Sequence, residues 1–153
     1  MEGVILTIRS RFKLFKKPRK IGDAFEFDGK YYLIIGIEHF ELVYDQLTIW
    51  YTCQNLAETD YISKKKPLPE PPGYMLAEVS FKYNDERLKN RFLGTTHDIR
   101  GERYKIMEYR EISVKSTDIS LVFSIKPIYP IDRKEAKAKS LNERKKKLQL
   151  EIF

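Results

Sequence analysis

At 153 residues the chain is long enough to enclose a core, either as one ordinary domain or as two very small ones packed together. Hydrophobic residues make up 42% and aromatics 13%, with ten Tyr and nine Phe, which excludes a disordered tail and favours strands. The formal charge of +7 is clustered: Arg9 to Lys20 holds seven basic residues and no acidic one, Lys64 to Lys66 form a second group, and Asp132 to Phe153 sets eight basic against four acidic.

The opening residues, MEGVILTIRSRF, give a short apolar run that is neither a signal peptide nor a membrane span, so the chain is expected to be cytoplasmic at synthesis. Val4 to Ile8 is the first predicted strand. The basic segment RSRFKLFKKPRK follows, interleaving Phe12 and Phe15 with Arg9, Arg11, Lys13, Lys16, Lys17, Arg19 and Lys20. This mixture suits contact with a nucleic-acid backbone or another anion, with a base stacked on a ring. It also alternates as an edge strand blunted by lysine and arginine would.

A three-stranded meander comes next. Ala24 to Asp28 forms a strand, Asp28-Gly29 signals a type I′ turn, Lys30 to Phe40 returns, and a turn near Asp45-Gln46 leads to a third strand. Alternation in that strand puts Leu47, Ile49, Tyr51 and Cys53 inside and points Trp50 to the other face. The run Ser63 to Gly73, SKKKPLPEPPG, carries four prolines and is predicted to be an extended surface linker. Met75 to Phe81 is a further strand, and Asn84 to Phe92 is predicted to form one or two helical turns.

Laying the sequence on itself with a shift of 72 brings Gly22 to Ala57 opposite Gly94 to Tyr129. Gly22 meets Gly94, Gly29 meets Gly101, Tyr32 meets Tyr104, and Ile34 meets Ile106. LTIWYTC falls opposite ISLVFSI, so Ile119, Leu121, Phe123 and Ile125 are the expected inward counterparts of the first third strand. LTIR and VSFK, ahead of the two copies, agree at a shift of 73. The expected fold is therefore mainly β: two similar antiparallel units of three to four strands forming a sandwich or barrel-like body. The units are bounded at 1–62 and 74–130, with the linker at 63–73 and a basic C-terminal helix or tail at 131–153.

That last segment contains no Gly or Pro and has Asp132 as its expected N-cap. Heptads read from Ile131 place Ile131, Ala138, Lys145 and Ile152 at one seam position and Lys134, Leu141 and Leu148 at the other. Ile131, Ala138, Leu141, Leu148 and Ile152 are thus candidate contacts for the body or for copies of the chain. An exposed, frayed basic tail fits the same residues.

No catalytic constellation emerges. Cys53 is the single cysteine, no Cys and His have zinc-site spacing, and His39 and His97 sit on strands without a nucleophile motif. Glu26 and Asp28 share a strand face but lie opposite Phe25 and Phe27, so they are expected to face water. There is no P-loop and no dinucleotide-binding glycine pattern. A non-enzymatic protein without metal or cofactor is the expectation, acting through other protein subunits or itself, with nucleic acid as the alternative partner and no small-molecule substrate evident.

The meander IGDAFEFDGKYYLIIGI, the size of the chain and its lysine-rich end resemble small proteins encoded in the tail-gene region of siphophages that infect Gram-positive bacteria. The resemblance covers about a quarter of the chain. It implies a virion-associated or tail-assembly role as an oligomer and carries over no residue.

Overall fold

In the computed structural model of the chain, residues 3–58, 66 and 68–152 are described. The sequence readings on Tyr61 and Ile62, on Lys64 and Lys65, and on most of the linker's first half lie outside them.

Among the described residues, eight strands form two four-stranded antiparallel sheets. The first contains β1 (Ile5–Lys13), β2 (Ala24–Phe27), β3 (Lys30–Val43) and β4 (Gln46–Asn55), in the order β1-β4-β3-β2. The second contains β5 (Met75–Lys82), β6 (Thr96–Ile99), β7 (Glu102–Lys115) and β8 (Asp118–Pro127), in the order β5-β8-β7-β6. A meander thus builds three strands of each sheet, and the strand preceding it closes the free edge of the last.

The duplication extends below the level of strand order. Asp28-Gly29 and Arg100-Gly101 both turn with positive φ at both residues, the requirement of a type I′ hairpin. Tyr44 and Ser116 take φ near +57° and +58° at the next turns. Bulges interrupt β3 after Ile34 and Ile37 and interrupt β7 after Ile106 and Tyr109, again 72 residues on. Gly22 donates its N–H to Ile34 at 2.8 Å, as Gly94 does to Ile106 at 2.8 Å.

The first strands depart from that spacing. Phe12 pairs with Leu47 and Phe81 with Ile119, which relates β1 to β5 by 69 residues rather than the 73 that LTIR and VSFK suggest. The connection to the next strand is longer in the second unit, where it carries a short 3-10 helix, Glu86–Asn90, capped by Asp85. A displacement of four residues preserves alternation, so the same faces turn inward. β1 also runs on beyond Ile8 to Lys13, because the basic segment continues the alternating pattern.

The buried residues of both sheets form one cluster. Leu47, Ile49, Tyr51 and Cys53 on β4 are fully buried, as are Ile119 and Leu121 on β8, with Phe123 and Ile125 nearly so. The sheets approach each other at β3 and β7, where Phe40 meets Tyr109 edge-on at 5.5 Å. Lys20 pairs with Glu111 across this junction at 3.0 Å, and the positions equivalent to those two, Phe92 and His39, bring their rings within 4.9 Å. The reciprocity of these contacts relates the units as an isologous pair.

The described part of the proline-rich connection, Leu68 to Gly73, has no regular structure and is exposed; Glu70 ties it to Arg110 on β7 at 2.7 Å. After Pro130 the chain enters one helix, α1 (Arg133–Ile152). Asp132 caps it, accepting from the Glu135 N–H at 2.9 Å. Each of its described side chains is exposed, so α1 does not bury a face against the body.

Candidate functional site: an exposed basic sheet face and a solitary helix

The seven cations of the N-terminal basic segment divide into groups with different work. Arg9, Arg11 and Lys13 occupy alternate positions of the edge strand β1 and are exposed, while Ile8 and Phe12, on the intervening register, turn toward the core. Lys16 and Lys17 are exposed in the turn beyond β1.

Arg19 and Lys20 are engaged by the fold itself. The Arg19 guanidinium lies over the rings of Phe25 at 4.5 Å and Phe12 at 5.7 Å, and its carbonyl accepts the Tyr51 hydroxyl at 2.9 Å. Its counterpart Arg91 covers Phe81, the equivalent of Phe12, at 5.5 Å, and its carbonyl accepts the Tyr109 hydroxyl at 2.6 Å. The same clasp is therefore built twice, with the tyrosine supplied by β4 in one unit and by β7 in the other. Lys20 is held by Glu111. Phe12, expected to interleave with the cations, packs edge-on against Tyr51 at 6.5 Å, leaving Phe15, 71% exposed, as the accessible ring of that segment.

Residues across from the basic row complete the face. Trp50 stands directly opposite Arg9, Thr48 opposite Arg11, and Gln46 opposite Lys13; Thr52 faces Thr7. On the far side of Trp50 is His39, ring centroids 5.3 Å apart. The sequence places Trp50 on this face by alternation, but its apposition to Arg9 depends on the pairing of strands far apart in the chain.

Other titratable groups are occupied structurally. Cys53 is free and fully buried, burial pushes its thiol up to about 11, and its Sγ donates to the Tyr51 carbonyl at 3.8 Å. Burial, and after it the charge of Arg91, lowers the pKa of His97. Its Nε2 lies 2.9 Å from the Thr95 hydroxyl, which is also within donating distance of the carbonyls of Phe92 at 2.6 Å and Asn90 at 3.2 Å, so main-chain acceptors compete with the ring for that proton. Among the described residues no three His, Cys, Asp or Glu side chains come together as metal ligands. No helix among them is long and apolar enough to cross a membrane.

A groove of about 590 Å³ opens where the units meet, lined by Phe40, Leu42, Tyr83, Leu88 and Phe92, with Asp85 and Lys89 at its rim. The candidate seam residues of the C-terminal segment lie elsewhere. Ile131 precedes α1, while Ala138, Leu141 and Leu148 project from it, Leu141 and Leu148 being 47% and 59% exposed. The side chain of Ile152 lies outside the described ones. Set against protein-family models, curated proteins and solved structures, the chain has no match.

Proposed function

We propose that this protein is a non-enzymatic assembly component that joins copies of itself through α1. The observation supporting this reading is a 20-residue helix whose described side chains are all exposed, with Leu141 and Leu148 seven residues apart on one stripe. Such a helix is about 30 Å long. Helices in proteins draw most of their stability from packing an apolar stripe, and α1 finds no such cover on its own body. Ala138 lies on the same stripe, and Lys145 interrupts it as a polar residue that restricts register and subunit number. In the setting that the sequence resemblance suggests, the chain would be a repeated subunit of a phage tail-associated structure.

The electrostatics give this association a recognisable signature. Arg133 to Leu150 carries eight basic and two acidic residues, so neighbouring copies of α1 repel while their leucines attract. Screening weakens the repulsion and leaves the apolar contact intact. Light scattering on a sizing column should therefore show a defined oligomer that is favoured as salt rises. Leu141→Asp with Leu148→Asp should reduce it to a monomer with an unchanged β-sheet spectrum. A full-length protein that stays monomeric at all salt concentrations, or an oligomer indifferent to both substitutions, removes the reading.

A further inference from the structure

The outer face of the first sheet holds a row of cations and an indole that neither the shared core nor α1 employs. Arg9, Arg11 and Lys13 leave an edge strand at every second residue, about 6.8 Å apart. Trp50, half-buried, offers the one indole of the protein beside Arg9, with Thr48 and Thr52 before and after it along β4 and His39 next to it on β3. Among the described residues, none of the carboxylates near this surface pairs with the cation row. Glu41, two strands from Arg11 across Thr48, is turned to His39 at 3.5 Å; Glu38 is exposed in the bulge beside His39; Asp45 lies in the turn next to Gln46; and Glu26 sits on β2 at the opposite edge.

The second unit provides an internal control for what the fold requires at these places. By the pairing of its strands, Glu78 stands where Arg9 does, Ser80 where Arg11 does, Val122 where Trp50 does, and Glu111 where His39 does. A sheet of the same topology is thus built without the two arginines or the indole, whereas His39 also packs on Phe92 where the units meet. The fold places no such demand on Arg9, Arg11 or Trp50.

We propose that this face binds single-stranded nucleic acid, with Arg9, Arg11 and Lys13 on successive phosphates and Trp50 stacked against a base. Cations in a row satisfy a polyanion of regular spacing. A large aromatic face next to them takes up a base of any sequence, and only an unpaired strand offers its bases face-on. An acidic protein would engage the cations and leave the indole without a stacking partner.

Trp50 is the single tryptophan, so the intrinsic fluorescence of the full-length protein reports on this face directly. Titration with an oligodeoxythymidylate and with an oligouridylate at low salt should quench it. The logarithm of affinity should fall against the logarithm of salt with a slope of about −2, from three phosphate contacts at about 0.7 each. Arg9→Glu with Arg11→Glu should weaken binding more than about tenfold and flatten that slope. Trp50→Ala, followed by anisotropy of a labelled oligonucleotide, should weaken it roughly five- to a hundredfold while leaving the slope in place. Lys146→Glu with Lys147→Glu on α1 should leave the quenching intact, and thermal melts confirm that each variant is folded. The proposal is overturned by absence of quenching at low salt, by affinity indifferent to Arg9 and Arg11, or by a duplex binding as tightly as the single strand. Equal quenching by a polyglutamate peptide would likewise overturn it in favour of an acidic protein partner. Because nucleic-acid binding weakens with salt and self-association through α1 strengthens, failure of one reading leaves the other independently measurable.

Discussion

Tyr51 and Tyr109 show how single side chains hold this fold and how pH acts on them. Each hydroxyl donates to the carbonyl of an arginine in the segment that crosses between the first and second strands of its unit, at 2.9 and 2.6 Å. Burial, the dominant cause in both, raises the phenol pKa well above its usual value near 10. Cys53 is raised to about 11 for the same reason. All three are acids whose folded pKa exceeds the unfolded one, so above it the unfolded chain holds fewer protons than the folded chain. The stability they contribute is complete below about pH 9 and is lost as pH climbs past the unfolded values. The melting temperature should therefore decline above about pH 9, and more steeply above 10. Tyr51→Phe with Tyr109→Phe should flatten the decline, at a loss of about 1 kcal/mol for each hydroxyl at neutral pH. The sequence could not show this pair of clasps. Arg19 and Arg91 align under the shift, but the tyrosines serving them do not, since the residue equivalent to Tyr109 is Ile37.

Hairpins are the elements that local sequence specifies best. Asp28-Gly29 and Arg100-Gly101 were readable as turns because a type I′ loop requires positive φ at both central residues, and glycine accepts this at no steric cost. Gly29 has open space where a Cβ would lie, so Gly29→Ala tests backbone strain alone. It should destabilise the protein by about 1 kcal/mol, read as a shift in the denaturant midpoint without a change in slope. Connections that depend on nonlocal packing were less legible. The first strand was expected at Val4 to Ile8, with the basic segment after it alternating as an edge strand would; that the two form one strand, and that it stops at Lys13, depends on its pairing with β4 as far as Gln46. α1 shows the opposite case: composition and Asp132 announce a helix, but no pattern within it tells whether a partner surface is supplied by its own body.

For the molecule as a whole, the duplication joins two sheets that share one buried cluster, and the contact between β3 and β7 decides how the chain unfolds. Phe40 is 2% exposed and packs against Tyr109 and Phe92 of the other unit. Phe40→Ala should cost about 3–5 kcal/mol and lower one cooperative transition that includes both units. Two separated transitions in calorimetry, only one of them moved, would show that the units unfold independently. The sequence by itself determined the repeated strands, their turns and their inward faces, because glycine placement and period-two alternation are local requirements of hairpins in a half-buried sheet. Tertiary structure decided which of seven clustered cations remain free. Arg19 and Lys20 are drawn into cation–π and ion-pair contacts, whereas Arg9, Arg11 and Lys13 stand exposed along β1, with Arg9 opposite Trp50. That division rests on which strands lie next to one another, and charge clustering along a chain carries no record of it.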